Sequence, residues 1–371
     1  MEKIGNGTNH RETVMKIIDK FIIKKFIGSY VFVVAVLVTI VCIIQITEKN
    51  EYIIEHHLTF EEVFFYMLDF IPYIANLITP ITAFIAVVFM TSRMASHTEI
   101  IAILSSGISF RRLMLSYLAA AIVIALSNLY LTMDVIPKAN KRRIAFELAY
   151  FEKPYYFSDR DIHIRIAPES YLYMQSFNNQ SKIGYKFTLE TIKNMKLYAK
   201  LSAERAQWKE DTKSWELRQW ELRKFDGFKE EFKKGNQMDT VISLTPKDFQ
   251  NNWRLFETLT EKELNDHIRL LKSRGADNVI VYETEKYMRI ISPFSVILLT
   301  FIGLIVSARK SRGGTGFQIA LGFLIAFIYI LFFWFSKSFA QAGGIPASFA
   351  FWIPNIIFTF VGLVLYKFIP R

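Results

Sequence analysis

A soluble chain of 371 residues would form about two domains, but here the residues are 52% hydrophobic and collect in blocks. The blocks are roughly 20 residues long, enough to cross about 30 Å of hydrocarbon, which excludes an ordinary soluble protein. The formal net charge of +11 falls at the block ends, so it reads as membrane anchoring and not as nucleic-acid binding.

Residues 1–25 are polar and then amphipathic, with Lys16, Lys20, Lys24 and Lys25 ahead of a first span at 26–46. That run is too long for a signal h-region, so the first segment is expected to stay. An acidic stretch, 48–62, follows, with Lys49 as its one basic residue, and a second span at 64–91 holds Pro72 and Pro80. Arg93, Arg111 and Arg112 lie in the next polar loop, before a third span at 113–133. Three more spans, at 288–307, 316–336 and 349–368, come after a long soluble insert, with Arg309, Lys310 and Arg312 in the loop between the fourth and fifth. Six spans put all the Lys- and Arg-rich segments on one side, the cytoplasm by the positive-inside rule, and the insert on the other. In a bacterium with two membranes, that other side is the periplasm. Cys42, the lone cysteine, allows no disulfide within the chain, so the insert must be held by its own core.

The insert, 137–286, reads mainly as β. Ile162-His163-Ile164-Arg165-Ile166 alternates apolar and polar, the period of a half-buried strand. Segments 171–177, 186–192, 195–206, 215–225 and 240–244 are similar, punctuated by Asn178-Asn179, Asp226-Gly227 and Gly235-Asn236. Short strands at that spacing suggest a sandwich or jelly-roll. Thr260-Glu261-Lys262-Glu263 opens a helix with Leu264, Ile268 and Leu271 on one face and Gly275 at its close. The expected fold is an α-helical membrane protein of six transmembrane helices, with an all-β, jelly-roll-like periplasmic domain between the third and fourth spans. Its expected divisions are 1–136, 137–286 and 287–371.

No span carries an ionisable residue away from its ends, which argues against an ion-coupled secondary transporter. Gly313-Gly314-Thr315-Gly316 lacks the lysine of a phosphate-binding loop, and adjacent His56-His57 cannot share a helix face as metal ligands. An enzyme is not expected, and neither is a metal or other cofactor. The informative loop is Glu99-Ile100-Ile101-Ala102-Ile103-Leu104-Ser105-Ser106-Gly107, a short amphipathic helix ended by glycine, with Arg111 beyond. Composition alone leaves two readings, a helix lying in the membrane interface or a plug for a partner's groove.

Several stretches occur in the order seen in one family. Ile18-Asp19-Lys20-Phe21-Ile22 resembles the Leu-Asp-Arg-Tyr-Ile opening of the LptF/LptG lipopolysaccharide-export permeases. Residues 98–109 resemble their Ser-Glu-hydrophobic-x-x-Met-x-Ala-Ser-Gly element, and Val135-Ile136-Pro137, Leu244-Thr245-Pro246, Ser292-Pro293 and Gly343-Gly344-Ile345-Pro346 follow in family order. The Asp19 opening leans towards LptG. The resemblance implies a membrane subunit of an ABC transporter that extracts lipopolysaccharide and passes it to a periplasmic bridge. Its implied partners are an LptB-like ATPase homodimer that hydrolyses the ATP, a second LptF/LptG-type permease, and LptC/LptA-like β-jelly-roll proteins. It also implies ATPase coupling through Glu99, Ile103, Ser106, Gly107 and Arg111, and a lipid gate between the first and fifth spans at Gln45, Lys49, Phe333 and Lys337. Gln45 is a departure, standing where LptG-like members commonly have a basic residue. The rival reading is a non-transport scaffold or signalling protein whose insert senses a periplasmic partner.

Overall fold

The computed structural model describes residues 17–151, 160–227, 229–249, 254–276, 278–308 and 314–367. Lys16, the loop residues Arg309, Lys310, Arg312 and Gly313, and the terminal Phe368 and Arg371, on which part of the orientation reading rests, lie outside them.

The first half is helical: α1 (Ile17–Glu48), α2 (Asn50–Glu55), α3 (Phe60–Ser96), α4 (Glu99–Ser105), α5 (Phe110–Tyr130) and α6 (Ile136–Phe146). A capping box starts α3, where the Thr59 N–H donates to Glu62 Oε2 at 2.8 Å. The α3 helix then continues through Pro72 and Pro80. Between α5 and α6 lies a π-helical turn, Leu131–Val135, and a second, Glu147–Phe151, follows α6. The helix starting at Phe110 therefore runs on through the expected boundary at 136/137 to Phe151. Its buried positions 136, 140, 143, 147 and 151 recur at helical spacing, and the wide π turn precedes Pro137, whose ring would crowd an ordinary turn.

The sheet comprises β1 (Ile162–Ala167), β2 (Ser170–Met174), β3 (Ser176–Asn178), β4 (Ile183–Lys193), β5 (Lys196–Lys209), β6 (Ser214–Asp226) and β7 (Lys229–Thr240). All pairs are antiparallel, in the order β1-β2-β4-β5-β6-β7 with β3 beside β4, and the sheet does not close into a barrel. One face buries Leu172, Met174, Phe187, Trp215 and Leu217. Of residues 240–244, expected as a strand, only Thr240 is in one, as the end of β7; Ile242 and Leu244 drop into this core, and the Trp215 indole donates to the Leu244 carbonyl at 2.8 Å. The last strand is instead β7, whose run of Lys and Glu shows no alternation because it is an exposed edge. Gly235-Asn236 is thus mid-strand and not a turn; a Cβ at Gly235 would lie 2.9 Å from the Trp220 ring opposite it.

The return passes through α7 (Leu255–Thr258) and α8 (Glu261–Arg274). Glu263 accepts from the Thr260 N–H at 2.9 Å and α8 buries Leu264, Ile268 and Leu271, the face the sequence indicated. Then come α9 (Val279–Ser307), α10 (Gly314–Gln341), α11 (Ala347–Ala350) and α12 (Trp352–Lys367). Six helices are long and apolar enough to cross a membrane, matching the expected six spans with the sheet between the third and fourth. Burial ranks them unequally. The most apolar stretches of α9 and α3 are 61% and 56% buried, those of α1 and α10 only 6% and 22%. α3 packs against both α1 and α10 and so lies between them, while α10 is also held to α9 and α12 by Tyr329, which bonds Ser295 and, at 3.0 Å, Asn355.

Candidate coupling and gate site

At one end of the bundle, α4 turns back from α3 after Thr98, whose φ of +57° sets the corner, and stops at Gly107, whose φ of +86° glycine adopts without strain. Ile100 is buried, and Ile103 and Leu104 pack on the same cluster, which includes Ile22, Phe26, Met94 and Leu113. The opposite face, with Ile101, Ala102, Ser105 and Ser106, is exposed, as are Gly107 and Arg111. Of the expected coupling residues, Ile103 therefore faces the bundle and Ser106, Gly107 and Arg111 face out. Glu99 meets Lys25 of α1 at 3.3 Å with both side chains partly exposed. Beside it Asp19 is buried, accepting from Arg112 at 2.6 Å and from the Ser116 hydroxyl at 2.7 Å. The family-like opening at Asp19 thus ties the start of α1 to the start of α5.

At the other end, Gln45 donates to the Tyr66 hydroxyl at 3.0 Å, and that hydroxyl donates to Glu147 at 3.1 Å. Glu147 also accepts from Arg254 at 3.3 Å, and Arg254 makes two bonds of 2.6 Å to Glu257. Glu257 accepts from Arg143 at 3.2 Å, and Arg143, 1% exposed, lies 4.0 Å from the Tyr73 ring centroid. Burial works against the Arg254 charge, yet its bonds to the Glu257 carboxylate hold its pKa above the usual arginine value. Arg289 anchors the same segment, donating to the carbonyls of Leu259 and Phe256 at 2.7 and 2.8 Å and pairing with Glu285. On the outside, Arg142 grips both oxygens of Asp69.

The spans were expected to hold no charge away from their ends. The helices outrun those spans, and Arg143, Glu147, Glu285 and Arg289 occupy the added or outermost turns. Asp69 is the exception, lying inside the second span and paired with Arg142. The helical repeat of buried positions from Ile136 to Phe151 is the signal that would have exposed Arg143 and Glu147. Nothing local marks their partners Arg254 and Glu257, over a hundred residues away.

The four expected gate residues fall into two pairs. Lys49 sits 5.4 and 5.5 Å from the Tyr52 and Phe151 rings, beyond Gln45. Lys337 lies 5.4 Å from the Trp334 ring, and Phe333 packs inward on Tyr329 and Phe351. Among the described residues neither lysine has a carboxylate at ion-pair distance. Within one chain the pairs are on different neighbours of α3 and are not brought together.

No curated protein matches the chain. The family described as lipopolysaccharide export system permease LptF/LptG matches it over residues 20–367. That match takes in the second cluster, all of the first but Asp19, the six helices and the sheet, and the family is a transporter component, not an enzyme. The chain belongs to the LptF/LptG family of lipopolysaccharide export permeases, as a multi-pass protein of the inner membrane.

Proposed function

We propose that the chain is the LptG-like membrane subunit of an ABC transporter that takes lipopolysaccharide from the outer leaflet of the inner membrane. It passes the lipid to a periplasmic acceptor built, like LptC and LptA, from β-structure. The observation that carries this reading is the exposure of α1 and α10, the least buried helices, on separate sides of α3. Two flanks that cannot meet within one subunit are completed by a second LptF/LptG-type permease, and an apolar cavity closes between them. Acyl chains suit the uncharged middle of these helices, and Lys49 and Lys337 stand at headgroup depth for phosphates. The force comes from an LptB-like ATPase homodimer docked at the α4 end, and expulsion follows closure of the cavity.

Site-specific photocrosslinking to lipopolysaccharide in the assembled transporter tests this. Labelling is expected at positions 45, 49 and 337 and not at Ile124, which is buried inside the bundle. Equal labelling or none at all four positions overturns the gate. The same orientation requires a reporter near Asn236, in β7, to be periplasmic and one near Gly313 to be cytoplasmic. A cytoplasmic Asn236 reporter reverses the assignment.

A further inference from the structure

At the Lys24 end of the bundle, a groove of ≈ 730 Å³ opens between α1 and α3, lined by Lys24, Gly28, Phe32, Val33, Ile85 and Phe89 among others. Positions 21, 24, 28 and 32 are successive turns of one helix face. Gly28 makes the floor, for a Cβ there would meet nothing within 4 Å, while Phe21, Phe32 and Phe89 stand exposed as its walls. From Phe21 to Phe32 the lining runs about 16 Å along α1. Apart from Lys24, Lys25 and Ser29 that lining is apolar, and between two membrane-spanning helices it suits an extended acyl chain. At its mouth Lys20 and Lys24 are exposed one turn apart on the same face, a like-charge pair that favours an anion between them. Lys24 has no carboxylate at ion-pair distance among the described residues.

We propose that this groove binds one anionic phospholipid of the surrounding membrane, its phosphate between Lys20 and Lys24 and an acyl chain along Gly28 to Phe32, against Ile85 and Phe89. This lipid is a resident of the membrane and not the exported cargo, since the groove is at the opposite end of α1 from Gln45 and Lys49. Lys25, which holds Glu99, lines the same groove, so the headgroup stands beside the base of α4.

The test uses the full chain in nanodiscs of phosphatidylcholine and phosphatidylglycerol, without lipopolysaccharide or ATPase. A photoreactive phenylalanine analogue replaces Phe89, or as control Phe327, an exposed residue of α10. Adducts at 89 are expected to favour phosphatidylglycerol over its bulk share by about fivefold or more, the ratio one lysine near an anionic lipid supports. Adducts at 327 should match the bulk ratio. Lys20→Glu with Lys24→Glu should return position 89 to the bulk ratio, whereas Lys49→Glu should leave the preference intact. A bulk ratio at 89 in the unaltered chain overturns the proposal. So does a crosslink from 89 to residues 1–16, or to a partner protein in the assembled transporter, in place of lipid. Failure of the export reading would leave these outcomes unchanged, because no cargo is present.

Discussion

Arg143→Met is expected to destabilise the full chain by about 3–5 kcal/mol, the cost of stripping one member from a buried ionic group. Two arginines and two glutamates balance in that cluster, with Arg143 and Glu147 1% and 8% exposed. Losing one guanidinium leaves an excess carboxylate in a site largely shielded from water, Glu257 being 14% exposed. Glu257→Gln added to Arg143→Met restores neutrality through the remaining Arg254–Glu147 pair at 3.3 Å, and should recover at least about 1 kcal/mol. Unfolding of the four proteins of this cycle in one detergent measures the coupling. Additive losses would show that Arg143 serves by packing on Tyr73 alone.

Glu99→Lys is expected to abolish co-purification with the ATPase while leaving the isolated chain folded. The Lys25–Glu99 pair is a third or more exposed on both sides, so within the chain it contributes only about 0–1 kcal/mol. Facing an arginine in a partner's groove, the reversed charge would cost about 2–5 kcal/mol of assembly. The exchanged variant Lys25→Glu with Glu99→Lys rebuilds the internal pair in reverse. If it regains the ATPase, the internal pair and not a partner contact governs docking; normal recovery with Glu99→Lys alone would make α4 an interfacial helix.

Six spans, the intervening β insert and α8 were legible because each repeats an apolar period long enough to be counted. The failures share a cause, which is that the deciding contact is remote or belongs to the backbone. β7 is held by main-chain bonds to β6, so its side chains carry no pattern. Residues 240–244 alternate like a strand, yet Ile242 and Leu244 are buried as a lining beneath the sheet. Pro137 and the charges after it look like a helix end until the π turn before them is seen. The pairing of Glu99 with Lys25 left no local sign, because the two are 74 positions apart in the chain. Gln45, a departure from the family's basic residue, bonds Tyr66, and through it the Glu147 cluster, a role for which amide donors suffice.

The unbroken helix from Phe110 to Phe151 has a mechanical consequence. Its 42 residues make a rod about 63 Å long, twice the thickness of the hydrocarbon layer. Rocking such a rod by about 5° about its α4 end carries the far end sideways by about 5 Å, the rise of one helical turn. A small tilt imposed beside Arg112 thus becomes a stroke at Phe151, eleven positions before the sheet begins at Ile162. The two π turns along its second half are where that lever would flex.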